Sequence, residues 1–289
     1  NDLPFRNRID PLIRIGNCLK AWLFPRRQFQ IENFRVAPTN VCNAACCFCT
    51  YPQTVMKRKV MTLETFQAAL PYFGGQFHVD LTPAVGDPLV DPGLELKVAE
   101  LAKAGMQCQF TTNGILLDKH AEWILNRYQD IACLYLSIPG FDPEQYQVQY
   151  GVDKGRQVVD ALLRFLEANE RYGQKLRVRI QIRNREHPRE TKRSLWYNKF
   201  KPFIHGKVSM HFTKVWDNWS WALDVSTWSD YMRKRLRWCP QIKRPCRNLR
   251  FGLVNPDGGL RLCGCRVVGT DQDDLLVGKV GDSKESLNA

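Results

Sequence analysis

Phe34-Arg-Val-Ala-Pro-Thr39 runs straight into Asn40-Val-Cys42-Asn-Ala-Ala-Cys46-Cys47-Phe48-Cys49, so a short strand-like segment delivers four cysteines within one octapeptide. The same opening, a strand and then a longer helical pattern, repeats along the chain. Strand-like runs occur at Gln76–Thr82, Met106–Thr111, Ile131–Ser137, Leu176–Arg183 and Lys207–Thr213. Helical spacing separates them at Leu63–Phe73, Leu94–Ala104, Lys119–Tyr128, Arg156–Tyr172 and Arg189–Phe203. Six strands with five helical stretches between them predict parallel strands joined by crossover helices.

The strands also alternate. Gln76, His78, Asp80 and Thr82 interleave with Phe77, Val79 and Leu81, and Arg177, Arg179, Gln181 and Arg183 interleave with Val178, Ile180 and Ile182. Ser209, His211 and Thr213 do the same opposite Val208, Met210 and Phe212. A parallel sheet covered on both faces reads as nearly continuous apolar runs. Here one face must meet helices and the other something polar. The expected fold is therefore α/β, a partial (β/α)6 TIM-like barrel with a polar lumen. An antiparallel sheet with one wet face is the alternative, and the long helices between strands weigh against it.

The chain has 289 residues, 44% hydrophobic and 25% charged, as in an ordinary globular protein. No apolar run approaches the ~20 residues that span a bilayer. No signal peptide is visible, so the expected location is cytoplasmic. The formal charge of +13 favours an anionic or polar partner, although a solvated basic surface accounts for it equally well. Residues 9–24 carry Ile9, Leu12, Ile15, Leu19, Trp22 and Leu23 at helical spacing. A helix capping the core is expected there, with peripheral membrane contact as the alternative.

Eleven cysteines, an odd number, argue against a disulfide framework and for metal ligands where they cluster. Cys18, Cys108 and Cys133 stand alone among apolar neighbours and read as buried small hydrophobes. Cys42, Cys46 and Cys49, spaced Cys-x3-Cys-x2-Cys, can wrap one face of an iron–sulfur cube and leave one iron open. A structural zinc site supplies four ligands.

This loop, with Phe48 before the last cysteine, resembles the signature of the radical S-adenosylmethionine superfamily. Further motifs follow in the expected order: Gly86-Asp87-Pro88 after the second strand, Thr112-Asn113-Gly114 after the third, and Ser137-Ile-Pro-Gly140 after the fourth. The resemblance covers roughly residues 34–265. It implies a 4Fe–4S cluster on Cys42, Cys46 and Cys49, with S-adenosylmethionine held by Phe48, Gly86, Asp87, Pro88, Asn113 and Ser137. One of Arg179, Gln181 and Arg183 is expected to meet its carboxylate, Gln181 or Arg179 first, with an anionic substrate or structural ion pairs as the alternative for the arginines. It also implies reductive cleavage to a 5′-deoxyadenosyl radical that takes a hydrogen atom from a substrate C–H bond, with an external one-electron reductant such as flavodoxin or ferredoxin.

A second group comprises Cys239, Cys246, Cys263 and Cys265, with Asn255-Pro-Asp-Gly-Gly as a turn signal between two apolar runs. Cys246, Gly258 and Cys263 resemble the opening of a SPASM/twitch extension, which implies an auxiliary 4Fe–4S cluster; a zinc ribbon is the alternative. The expected organisation is an amphipathic segment over 1–33, a radical barrel over 34–215 and a cluster-binding extension over 216–289. No catalytic base can be assigned, because Gly264 stands where some relatives place one.

For the substrate, oxidation or rearrangement of a small sugar-, aminocyclitol- or nucleotide-like molecule is expected. His78, Asp80, Tyr135, Arg179, Arg183 and His211 are the expected pocket lining. Maturation of a ribosomal peptide or protein is the alternative, and the short run before the first strand counts against a leader-binding domain. A zinc-dependent nucleic-acid binder using Trp216, Trp219, Trp221 and the basic segment Arg233–Arg250 is the least favoured reading.

Overall fold

The computed structural model describes residues 33–53, 57–73, 78–219, 222–236, 251–262 and 275–282. The segment 1–32, Cys18, Trp221 and the second cysteine group lie outside them. Six strands follow the predicted order: β1 (Asn33–Val36), β2 (His78–Asp80), β3 (Gln107–Thr112), β4 (Ile131–Ile138), β5 (Val178–Ile182) and β6 (Val208–Phe212). Each pairs in parallel with the next. Parallel neighbours need long crossovers, and helices supply them. They are α1 (Leu63–Ala69), α2 (Leu94–Lys103), α3 (Leu117–Asn126), α4 (Glu144–Tyr150), α5 (Gly155–Arg171), α6 (Pro188–Arg193) and α7 (Leu195–Phe200).

Local chemistry sets the helix ends. The Thr62 hydroxyl accepts from the Thr65 N–H and caps α1. The single helix expected over Arg189–Phe203 is two, because Ser194 adopts φ −66°, ψ 144° and its hydroxyl caps Tyr197. A serine that accepts from a nearby backbone N–H competes with helix continuation. The longest helix, α5, buries Val158, Val159, Leu162, Phe165 and Leu166 along one stripe.

The predicted alternation holds on β2 and β5, whereas on the edge strand β6 only Val208 is buried and Met210 and Phe212 are half-buried. Val36, Val79, Phe110, Leu134, Leu136, Val178, Ile180 and Ile182 are fully buried on the helix-covered side. Arg35, Asp80, Gln109, Thr111, Tyr135 and Gln181 are half-buried on the other. Cys108 and Cys133 are buried, as expected for small hydrophobes.

The predicted hairpin forms between β7 (Phe251–Val254) and β8 (Gly259–Leu262), followed by β9 (Leu276–Lys279). It does not stand apart. β7 pairs in parallel with β1, so among the described residues one sheet runs β6-β5-β4-β3-β2-β1-β7-β8-β9. A short helix, α8 (Asp230–Arg233), lies before β7. No helix among the described residues is long and apolar enough to cross a membrane.

Candidate active site at the strand ends

The cysteine loop leaves β1 and is pinned from several sides. Ala45 and Cys47 donate their N–H groups to the carbonyls of Tyr150 and Gln149 at the end of α4. Gly151 ends that helix at φ +65°, and a Cβ there would meet the Ala45 carbonyl at 2.8 Å. The Tyr51 hydroxyl donates to the Cys42 carbonyl at 3.0 Å, and the Cys49 thiol accepts the Tyr51 N–H at 3.4 Å. From after β6, the indole N–H of Trp219 donates to the Phe48 carbonyl and that of Trp228 to the Cys47 carbonyl. Trp216 and Trp228 are buried in a small cluster that Cys47 and Phe48 pack against. Trp219 and Trp228 thus tie the cysteine loop through their indole N–H groups, and Trp216 packs against Phe48.

Gly86 brings the next loop close. Its φ is +123°, and a Cβ would lie 3.0 Å from the Thr39 carbonyl and 3.1 Å from that of Val41. The neighbouring Asp87 N–H donates to Val41. The Asp87 carboxylate is buried and accepts from the Leu89 N–H, the Asn113 N–H at 2.7 Å and the Thr112 hydroxyl. Burial pushes its pKa up to about 6, against the pull of those donors. Asp87 therefore laces the loop after β2 to the loop after β3, while Pro88 opens a short 3-10 turn. From the second loop, the Asn113 side-chain amide donates to the Asn43 side-chain oxygen Oδ1 at 2.7 Å and to the Cys42 sulfur at 3.9 Å.

Cys42, Cys46 and Cys49 are close enough to perturb one another. Burial, then the Asp87 carboxylate, pushes Cys42 up to about 12. Burial, then the charges of Cys49 and Cys42, raises Cys46 well above its usual value, and burial raises Cys49. Three thiols that cannot ionise together unaided are a donor set awaiting a compensating cationic centre. Among the described residues no three His, Cys, Asp or Glu side chains converge as a single-ion site. An iron–sulfur cube places each cysteine on a different iron, so its ligands stand farther apart than those of one ion. Two buried atoms of the same loop, Asn43 Nδ2 and Thr50 Oγ1, have no hydrogen-bond partner among the described residues. The residues fit a cluster with a further polar group beside it.

Beside the loop lies a cavity of about 460 Å³. Its wall is the polar face of β1 to β5: Arg35, Asp80, Gln109, Tyr135 and Gln181, with Thr82, Thr111, Arg183 and Trp219 around the strand ends. Phe48 packs between Tyr150 and Trp216, and the Arg183 guanidinium lies 6.0 Å from its ring. The Ser137 hydroxyl bonds both Tyr150 and the Arg183 Nε.

Of the expected lining, Asp80, Tyr135 and Arg183 meet this cavity. Arg179 stands over the Tyr135 ring at 5.4 Å, opposite that residue on β5. His78 and His211 are exposed, a correction with a simple cause. His78 opens β2 at the end away from the loops, and His211 belongs to β6, the outermost strand, whose inner face stays open. The sequence reading missed Arg35, Gln109, Thr111 and all of α4. The Gln149-Tyr-Gly151 stretch carried the one signal, a glycine ending a helix.

A model of the Radical SAM superfamily matches residues 36–180, about half of the chain and the segment carrying β1 to β5. Over 132 residues the chain is 29% identical to a protein named probable GTP 3′,8-cyclase from Pyrobaculum aerophilum. That match covers 45% of this chain and 42% of the relative, so the chain spans less than half the length of that curated protein. Streptococcus suis SuiB bound to S-adenosylmethionine superposes with a TM-score of 0.58 at 14% identity, covering 93% of this chain and 69% of that one. SuiB bound to its precursor peptide SuiA gives 0.58 and 14%, covering 100% and 72%. At such identity the structural likeness is one of fold. Thiols and laced loops occupy the stretch that the family model matches, and the chain belongs to the Radical SAM superfamily.

Proposed function

We propose that this chain uses Cys42, Cys46 and Cys49 to hold a 4Fe–4S cluster and acts on a small polar substrate in the adjoining cavity. The observation that carries the reading is the union of the two sites. Trp219 lines the cavity while its indole holds the Phe48 carbonyl, and Arg183 reaches both the cavity and the Phe48 ring. Cluster and S-adenosylmethionine together supply a 5′-deoxyadenosyl radical that removes a substrate hydrogen atom.

The chain's own residues bind, orient and shield. Gly86, Pro88 and Asn113 shape the rim beside the cysteine loop, with Asp87 fixing them from beneath. Phe48 and Ser137 would border the cofactor, and Gln181 and Arg183 would meet the substrate from the cavity wall. Arg179 supports Tyr135 from the layer below. The clamped, half-buried loop keeps water from the reacting atoms.

Residues 34–215 form the catalytic barrel in this reading, and 216–289 an extension. The hairpin sets Gly252 opposite Leu262, and in sequence Cys246 and Cys263 flank that end. An auxiliary 4Fe–4S cluster on Cys239, Cys246, Cys263 and Cys265 fits this arrangement. A one-electron reductant docks from outside. The lumen offers side-chain hydrogen bonds rather than a long open groove, which favours a sugar-, aminocyclitol- or nucleotide-like molecule over a peptide.

Anaerobic reconstitution with iron and sulfide, followed by reduction with S-adenosylmethionine present, tests this. Visible iron–sulfur absorbance and 5′-deoxyadenosine are expected. Bound zinc with no 5′-deoxyadenosine overturns the reading.

A further inference from the structure

Two arginines reach the cavity with Nε turned to a partner. On β1, the Arg35 Nε forms an ion pair with the Asp80 carboxylate at 3.1 Å. The other Asp80 oxygen accepts the Thr82 N–H at 2.9 Å, so the carboxylate is itself fixed. At the end of β5, Arg183 uses Nε to bond the Ser137 hydroxyl at 3.1 Å. Each guanidinium is thus held by its side, and its two terminal nitrogens have no hydrogen-bond partner among the described residues. Both residues line the same cavity.

Their positions divide their work. β2, β3 and β4 separate β1 from β5, so the arginines stand three strands apart along the cavity wall. Arg183 lies on the side of Phe48, whose ring its guanidinium approaches at 6.0 Å. Arg35 sits in register with Asp80, which sits in register with Gln109, on the wall farther along the sheet from that arginine. The cavity wall carries two guanidinium charges against one carboxylate. A guanidinium fixed at Nε presents its terminal pair end-on, which matches the two oxygens of a carboxylate or phosphate.

We infer that Arg35, oriented by Asp80, is the specificity-determining residue that grips an oxyanion of the substrate, a carboxylate or a phosphate, at the β1 side of the cavity. This deepens the proposed function and rests on its placement of the substrate in the cavity. Arg35 is a binding residue here and Asp80 a positioning residue.

Phenylglyoxal, which attacks free guanidinium forks, tests the inference on the reconstituted, unreduced protein, with peptide mass spectrometry reading each arginine. Phosphate and acetate are compared with chloride at equal ionic strength. Arg35 should react readily and be protected saturably, at least about threefold in rate, by phosphate, by acetate or by both. Protection by one alone names that group as the source, and protection by both leaves the shared oxyanion chemistry standing. Arg156, also bonded through Nε but highly exposed on α5, should be equally reactive in all three salts. Equal Arg35 rates in all three salts overturn the inference, as does protection of Arg156 to the same degree. The readout needs no reductant, so it is separable from the radical chemistry. Protection without 5′-deoxyadenosine formation sinks the proposed function and keeps the oxyanion site. Cleavage of S-adenosylmethionine without protection sinks the site alone.

Discussion

The two faces of the β1–β5 sheet are built from the same backbone by strict alternation, yet they do opposite things. The helix-covered face is apolar and closed: Val79, Phe110, Leu134, Leu136, Val178 and Ile180 have essentially no exposure. The inner face is polar and half-open, and its charges are tied only at one edge, as Arg35 and Arg183 are. Stability is concentrated on one side of each strand and recognition on the other. A strand can carry both because neighbouring side chains point to opposite faces.

If the faces divide labour in this way, substitutions should separate the two. The largest effect belongs to the strand-end loop. Replacing Cys42, Cys46 and Cys49 together by Ala should reduce 5′-deoxyadenosine formation to background while far-ultraviolet circular dichroism stays near that of the parent. Persistence of cleavage would refute the ligand assignment.

Next is the closed face. Leu136→Ala removes a fully buried side chain from β4 and should lower the unfolding free energy by about 2–5 kcal/mol in urea titrations. A loss below about 1 kcal/mol would mean that this face is less tightly packed than the buried areas indicate.

Asp87 is the exception that sharpens the contrast, a carboxylate used for structure. Asp87→Asn turns one acceptor oxygen into a donor facing Thr112 or the Asn113 N–H, and should cost about 1–3 kcal/mol. It should also remove a pH dependence. The parent's Asp87 is raised from 3.8 to about 6, so between those values the folded chain holds the extra proton. Parent stability should be greatest below that window, fall as pH rises through it, and level off above. The Asn variant should lack that decline, as denaturant midpoints from pH 4 to pH 7 will tell.

The smallest effect on stability belongs to the open face. Gln181→Ala should stay within about 0.5 kcal/mol of the parent, because the side chain borders a cavity and not the core. Its cost should appear in substrate affinity instead. A loss as large as that of Leu136→Ala would erase the distinction between the faces.

The order of strands and helices was legible because period-2 and period-3.6 patterns are local. Two boundaries were not. The break at Ser194 depends on a hydroxyl choosing a backbone N–H over helix continuation. Helix α4 is one short turn-rich stretch whose role, receiving the Ala45 and Cys47 N–H groups, exists only once distant segments meet. Asp87 was read as part of a cofactor-binding motif, and the fold adds that its side chain is consumed in lacing two loops together.

The sequence by itself determined the parallel barrel, the polar lumen and the three-thiol loop, since alternation and spacing are properties of neighbouring residues. Only the tertiary structure decided which polar residues meet. Arg35 and Asp80 are 45 positions apart and pair because β1 and β2 run in register, which no linear pattern encodes. The hairpin's place beside β1 was likewise a tertiary decision, because an unpaired strand edge takes whichever complementary segment the rest of the fold brings alongside.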